Sequence, residues 1–400
     1  MSVSRIIKRI KKKILRRLRA IRKRYRYKYY FPKYYKQCAS GKEVKPNKVL
    51  FLEMRFTKLS NSFEVLYKKL EESGEYELVS SFVQFNFIRG KEYTEAVKKM
   101  IEELATAKYV ITDEASLILS SLPIREETVC INLWHACGAF KKWGRSTAEK
   151  KFGSTDSELD VYPNYGNLDL VTVSSPEVIW AYEEAMNLPE GIVQPIGTSR
   201  TDLFYDEEFV NSRKEKVYQF MPEARDKKII LYAPTFRGRV SRAKAPDMID
   251  FERFAKELSD DYVLISKHHP FCQKLPEIPE DLSWFAKDLT NDVTIEDLLC
   301  SADICISDYS SLVFEYSLFE KPMIFYAYDY DDYCDWRGFY YDYSEFTPGP
   351  IVQTEDELLA AIKDCETNFD KQRVIDFKEK FMGNCDGHAT DRIIAWMKEH

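Results

Sequence analysis

The 400-residue chain is 44% hydrophobic and 14% aromatic, ample for a buried core, and its length favours two domains over one. Nine cysteines, at positions 38, 130, 137, 272, 300, 305, 334, 365 and 385, are odd in number and never spaced Cys-x-x-Cys; they indicate neither a disulfide framework nor a zinc site and fit a reducing cytosol. Residues 1–28 carry 14 of the 59 Lys and Arg and no acid, so the net charge of -6 conceals a remainder with 45 basic residues against 65 acidic, a net -20 that would repel nucleic acid.

The basic tail comes first in the chain. On a helix, Ile7, Ile10, Ile14, Leu18, Ile21 and Tyr25 share one narrow stripe at the 3.6-residue period, while Lys8, Arg9, Lys12, Lys13, Arg16, Arg19 and Arg22 lie elsewhere around it. This predicts a basic amphipathic helix, residues 1–30, lying in an anionic membrane surface. A nucleic-acid arm of similar charge has no need of the apolar register. Charges interrupt every apolar run, so no signal peptide is expected, and no stretch reaches the ~20 apolar residues that span a bilayer.

Beyond a Tyr- and Lys-rich connector at 25–46, β-branched runs alternate with amphipathic segments. Strands are predicted at 48–53, 77–82, 108–112, 129–134, 168–174 and 192–196, with helices at 61–73, 91–106, 114–120 and 176–187. An acidic linker near 203–216 precedes a second set at 228–233, 262–266, 303–307, 323–326 and 351–353. Two consecutive βαβ arrays imply parallel sheets whose strand carboxyl ends face a cleft. The expected fold is α/β and GT-B-like: a Rossmann-like domain at 31–205, a second Rossmann-like domain at 206–400, and a last helix, about 387–399, packing back on the first half.

Four segments carry candidate chemistry. In Val129–Lys142, His135 stands at a strand's carboxyl end, followed by Gly138, Lys141, Lys142 and Arg145. It reads either as a capping histidine bonded to backbone or, beside phosphate-binding cations, as the group that removes a proton from an attacking hydroxyl. The strand at 229–233 leads into Arg237, which is either solvated or a bidentate clamp on phosphate oxygens. In Ser266-Lys267-His268-His269-Pro270, Pro270 biases His269 away from the helical region, so one cation and two imidazoles share a turn that aims N–H donors at a diphosphate. Metal binding is disfavoured because adjacent extended residues point to opposite faces and no third ligand is evident. The run 304–316 contains Ser307-Asp308-Tyr309-Ser310-Ser311: a short strand ends in two hydroxyls at a helix mouth, an anion site where a nucleotide diphosphate fits, with Glu315 one turn inward to accept from a ribose. No Gly-x-Gly-x-x-Gly, Walker sequence or Gly-x-Ser-x-Gly elbow supports a dinucleotide, P-loop or serine-hydrolase reading.

In order and wording, Trp134-His135 with its basic turn, Ile196-Gly197-Thr198-Ser199-Arg200-Thr201-Asp202, Leu231–Arg237, His269-Pro270, Ser307–Ser311, Pro322–Tyr326, Tyr328-Asp329 and Arg337–Tyr340 resemble the CDP-glycerol glycerophosphotransferase family, the primases and polymerases of teichoic acid synthesis. The resemblance covers about residues 100–395. It implies a GT-B fold and transfer of glycerol phosphate, or alternatively ribitol phosphate, from a CDP-alditol to a hydroxyl of an undecaprenyl-linked acceptor, with release of CMP. A GT-B glycosyltransferase using a CMP- or UDP-sugar is a further alternative. The resemblance casts His135 as general base, His269 as a diphosphate contact with Lys267 where arginine is common, Arg237, Asp308, Ser310 and Ser311 as donor-site residues, and Glu315 as the acid near the ribose. Lys141, Lys142 and Arg145 remain candidates for acceptor or phosphate contacts. No metal ligand or certain cofactor is implied, a divalent-cation requirement stays open, no nucleic acid is expected, and the expected location is peripheral, on the cytoplasmic face of the cell membrane. The turn Ala136-Cys137-Gly138-Ala139-Phe140 departs from the Gly-Thr-Pro-Leu of many members.

Overall fold

The computed structural model describes residues 3–85, 87–150, 153–238, 243–246, 249–272, 274–330 and 338–400, and of residues 3–8 the backbone alone. Cys334, Arg239, Arg337 and the side chain of Ile7 therefore lie outside the described residues.

The first half is a six-stranded parallel sheet of β1 (Lys45–Glu53), β2 (Glu77–Phe82), β3 (Ala107–Thr112), β4 (Val129–Asn132), β5 (Leu170–Thr172) and β6 (Val193–Gln194), ordered β2-β1-β3-β4-β5-β6. The second is a parallel sheet of β7 (Lys228–Tyr232), β8 (Tyr262–Ser266), β9 (Ala286–Asp288), β10 (Ile304–Ser307), β11 (Met323–Tyr326) and β12 (Ile351–Val352), ordered β12-β11-β10-β7-β8-β9. Central strands such as β4, β8 and β10 are buried along their whole length, as parallel sheets covered on both faces require. In each sheet the chain reverses its direction of growth once, between β1 and β3 and between β7 and β10. These are the points where open α/β sheets leave a crevice at the strands' carboxyl ends.

Eleven of the twelve strands coincide with predicted ones; β9, three residues long and containing Lys287 and Asp288, has no apolar run to announce it. β4 stops at Asn132 rather than at Trp134, because Trp134 adopts φ +53 and leaves the ladder.

Three apolar clusters hold the layers. One lies between the first sheet and helices 61–73 and 389–399; one between the second sheet and helices 251–258 and 355–364; the third runs from the other face of the first sheet through Phe140 into Val313, Phe314, Phe377 and Phe381 of the second half. The halves thus share a continuous core. The C-terminal segment ties them further: Ser174 Oγ donates to Phe381 O at 2.7 Å, Asn384 N donates to Ser174 O at 3.0 Å, and Tyr109 OH donates to Met397 O at 2.6 Å. Helix Ala389–Glu399 accordingly packs on the first sheet, its first N–H groups capped by Asp202.

Helix Val3–Tyr25 continues through a π turn at Arg26–Tyr30 into helix Phe31–Ala39, which is seated on the first half through buried Phe31 and Tyr35. Its far end leaves Ile10, Ile14, Leu15, Leu18 and Ile21 about half exposed or more. Among the described residues, no helix is long and apolar enough to cross a membrane.

Gly138 marks a close approach of the two halves. It has φ +63, and a Cβ built on it would lie 2.2 Å from the Phe314 ring. Gly138→Ala combines left-handed strain with overpacking and is expected to destabilise the fold by about 2–4 kcal/mol. Urea denaturation checks this; an unchanged midpoint contradicts the close-contact account.

Candidate functional site

On the first-half wall the geometry starts from Trp134. Its left-handed φ is unusual for a bulky residue, and it is held by Asn132 Oδ1, which accepts from Trp134 N at 2.8 Å, and by stacking on Trp143 at 4.5 Å with Tyr182 edge-on at 6.2 Å. The turn places His135 Nδ1 2.9 Å from the carbonyl of Asp113 and 3.4 Å from Glu114 Oε1, both just past the end of β3. A carbonyl only accepts, so Nδ1 carries the hydrogen and Nε2 keeps its lone pair. Burial pushes the His135 pKa from 6.5 down to about 4; the bond to Asp113 opposes this, and the charges of Arg55 and Arg200 reinforce it. The imidazole is therefore neutral, and Nε2 offers a lone pair as acceptor.

The second-half wall is built on Asp308, immediately after β10. Its Oδ1 accepts from Thr235 N at 2.8 Å and from Tyr309 N at 2.5 Å, while Oδ2 meets Arg237 Nη1 at 2.9 Å. Arg237 also grips Asp329 through Nε at 2.5 Å and Nη2 at 2.8 Å. Burial alone would lower the Arg237 pKa, but Asp308 and Asp329 raise it, so the guanidinium is a fixed charge clasping the loops after β7, β10 and β11. Lys267 is similarly committed: its ammonium donates to the carbonyls of Thr290 at 2.7 Å and Val293 at 2.5 Å and pins that loop, although burial lowers its pKa.

His269 has the opposite tautomer to His135. Its Nδ1 accepts from Phe271 N at 3.1 Å, so Nε2 carries the hydrogen and is a donor. Burial, reinforced by Lys141 from across the cleft, pushes its pKa to about 4. Ser310 and Ser311 follow on the same wall, half-buried. Ser310 Oγ accepts weakly from Leu312 N at 3.4 Å, and Ser311 starts helix Leu312–Ser317 without a side-chain cap. That helix has six residues, so its first-turn N–H groups, rather than a long macrodipole, are what it offers an anion.

The walls are joined by Arg200 and Glu315, whose Nη2 and Oε1 lie 2.7 Å apart with side chains 12% and 8% exposed. Burial raises the Glu315 pKa and Arg200 lowers it. Asn61 Nδ2 also donates across the cleft to Glu296 Oε1. Lys141 bridges to Phe339, and Lys142 N donates to Gly338 O at 3.0 Å, so both predicted lysines lie on the seam between the halves. Arg145 is instead held by Asp160 at 2.7 Å and Asp156 at 3.4 Å, both on the short helix Asp156–Val161 of the same half. Among the described residues, no group of three or more His, Cys, Asp or Glu is arranged to hold a metal ion.

No role for Arg200, Asp113, Glu114 or Arg55 is predicted from the sequence. Asp113 and Glu114 had a usable signal, since they directly follow a buried parallel strand; Arg200 had only its Gly-x-x-Arg-x-Asp context.

Two parallel-sheet halves meeting at such a cleft define a GT-B-like protein. A family model described as CDP-Glycerol:Poly(glycerophosphate) glycerophosphotransferase matches residues 34–398, and the chain belongs to that family. It is 36% identical to a teichoic acid poly(ribitol-phosphate) polymerase of Bacillus spizizenii, over 88% of this chain and 56% of that protein, so it spans just over half of that relative's length. It is 34% identical to the teichoic acid ribitol-phosphate primase of the same organism, over 90% of this chain and 92% of the relative, and 31% identical to the teichoic acid glycerol-phosphate primase of Bacillus subtilis, over 75% and 76%. The fold matches a solved structure of the wall teichoic acid polymerase TagF with a TM-score of 0.75 at 22% identity, covering 100% of this chain and 98% of that one.

Both imidazoles are expected to titrate near pH 4 by NMR rather than near 6.5. Because the fold favours neutral His135, its folded pKa lies below its unfolded one. The stability it contributes is full above about pH 6.5 and is lost as pH falls from there toward 4. His135→Gln should therefore flatten the pH dependence of urea stability in that window. A His135 resonance titrating at 6.5 contradicts the assignment.

Proposed function

We propose that the protein transfers an alditol phosphate from a CDP-alditol to an acceptor hydroxyl of a polyprenyl-diphosphate-linked glycan or teichoic acid-like polymer, releasing CMP. The observation that carries this reading is the pairing of opposite imidazole tautomers on facing walls, an acceptor nitrogen at His135 and a donor N–H at His269. In the step, the acceptor oxygen attacks the β-phosphorus and its proton passes to His135 Nε2. The bond from that phosphorus to the α–β bridging oxygen breaks, and CMP leaves with the oxygen. His269 Nε2–H, the hydroxyls of Ser310 and Ser311 and the first N–H groups of helix 312–317 offset charge on the non-bridging and leaving oxygens. Arg237, Lys267 and Asp308 hold the loops that present these donors, and Glu315 fixes the helix mouth through Arg200.

The glycerol donor implied by the resemblance has ribitol as its alternative. The relatives named for ribitol phosphate align over 86–90% of the chain, against 66–75% for those named for glycerol phosphate, which supports CDP-ribitol as the donor to try first. CMP release by purified protein, with CDP-ribitol and CDP-glycerol in parallel and a lipid-linked acceptor, tests the reading; release from neither contradicts it. His135→Ala should lower kcat by about 10²–10⁴-fold while leaving donor affinity within a few-fold. Near-wild-type turnover from a folded variant would remove the base role.

The helix at 3–25 supports a peripheral location on the cytoplasmic face of the membrane. Its exposed Ile10, Ile14, Leu18 and Ile21 stripe is interleaved with lysines and arginines. Lys23 and Arg26 are already bonded to Glu158 and to the Gly90 carbonyl of the body, so deletion of residues 2–22 removes the membrane-facing part alone. That deletion should release the protein from anionic vesicles and spare turnover on a soluble acceptor. Undiminished vesicle binding contradicts this location.

A further inference from the structure

The first-half wall carries a cation to which the mechanism above gives no role. Glu53, at the end of β1, is fully buried, and its carboxylate accepts from the backbone N–H groups of Arg55 at 2.8 Å, Phe56 at 3.0 Å and Ser60 at 3.1 Å. A buried carboxylate satisfied by three amides folds residues 54–60 into a closed loop. Just beyond it, Asn61 reaches across the cleft to Glu296, so the loop stands at the cleft's edge.

The loop presents Arg55 beside His135. Arg55 Nε lies 2.8 Å from Glu114 Oε1, and Nη2 lies 3.9 Å from Asp113 Oδ2. These are the residues that hold His135, through the Asp113 carbonyl at 2.9 Å and the same Glu114 oxygen at 3.4 Å. One dipeptide thus positions a neutral imidazole with an open lone pair and a guanidinium side by side. The described ion pairs use Nε and Nη2, while the side chain stays 30% exposed, so a guanidinium edge remains for a ligand. Exposed Lys58 adds a second cation on the loop.

A planar fork next to a general base suits an acceptor whose attacking hydroxyl lies near a phosphate. We propose that Arg55, presented by the 54–60 loop, binds the phosphate neighbouring the acceptor hydroxyl, so that this half selects acceptors bearing a phosphate close to the reacting end. The proposal rests on the phosphotransferase reading and deepens it. The phosphate is either a phosphodiester of a growing chain or the diphosphate of a lipid carrier, and separate probes distinguish them.

Calorimetric titration of the full chain with a three-unit alditol phosphate oligomer, a short-chain prenyl diphosphate, the free alditol and CDP-ribitol tests the assignment. Arg55→Ala should weaken binding of at least one phosphate-bearing probe by tenfold or more, with Arg55→Lys intermediate, while CDP-ribitol affinity changes less than twofold. Whichever probe loses affinity identifies the phosphate. Equal affinities of wild type and Arg55→Ala for both probes, or an equal loss for CDP-ribitol, overturns the proposal. If Arg55→Ala strands the carboxylates and fails to fold, the Arg55→Ala/Glu114→Gln protein and Arg55→Lys carry the same comparison. A wild type that binds CDP-ribitol but neither phosphate-bearing probe defeats this proposal alone, whereas no release of CMP from any CDP-alditol defeats the underlying reading.

Discussion

The buried ion pair between Arg200 and Glu315 is the constraint on which the cleft depends. Each charge has been taken from water, and neither is tolerable there without the other; breaking such a pair typically costs about 3–5 kcal/mol. The pair fixes the 3₁₀ helix Ser199–Tyr205, which follows β6, against the helix that starts at Leu312, and so sets how far the first-half wall stands from the second. Phe314, beside Glu315 in sequence, fills the space above Gly138, so ionic and apolar contacts impose the same spacing. With the walls fixed, the proposed transfer sets the lone pair of His135 and the N–H donor of His269 to act on one substrate rather than as two separate histidines.

Chemical division between the halves follows from local backbone accounting. On the first wall, a carbonyl is the nearest partner of the imidazole and forces the base tautomer; on the second, an amide is the nearest partner and forces the donor tautomer. Charges that look available in the sequence are consumed in making these surfaces rigid. On the second wall Arg237 joins Asp308 to Asp329, and Lys267 closes the 290–293 loop, so the atoms that this wall offers an anion are mostly hydroxyls, ring N–H and backbone N–H groups. Fixed dipoles of that kind need little reorganisation as charge shifts during phosphoryl transfer.

Much of this was legible in the chain. Parallel strands covered on both faces read as continuous apolar runs, and eleven of the twelve strands stand out in the sequence; the motifs after β4, β7, β8 and β10 mark strand carboxyl ends, where a crevice forms. What could not be read was pairing. Nothing in the spacing of Arg200 and Glu315, 115 residues apart, says that they touch, and Lys267 reads as a phosphate ligand until its carbonyl partners are known. Left-handed Trp134 was equally hidden, because a bulky aromatic inside an apolar run looks like strand; only the stacked Trp143 and the Asn132 side chain explain its conformation.

The most direct test of this architecture is a double-mutant cycle on Arg200→Gln and Glu315→Gln, read as kcat/KM for CMP release from the preferred CDP-alditol. If the pair sets the geometry of the cleft, each single change lowers kcat/KM, the double change lowers it little further, and the interaction energy is about 1–3 kcal/mol. Additive losses, or single variants with unaltered kcat/KM, would show that the two walls are held in register without this pair.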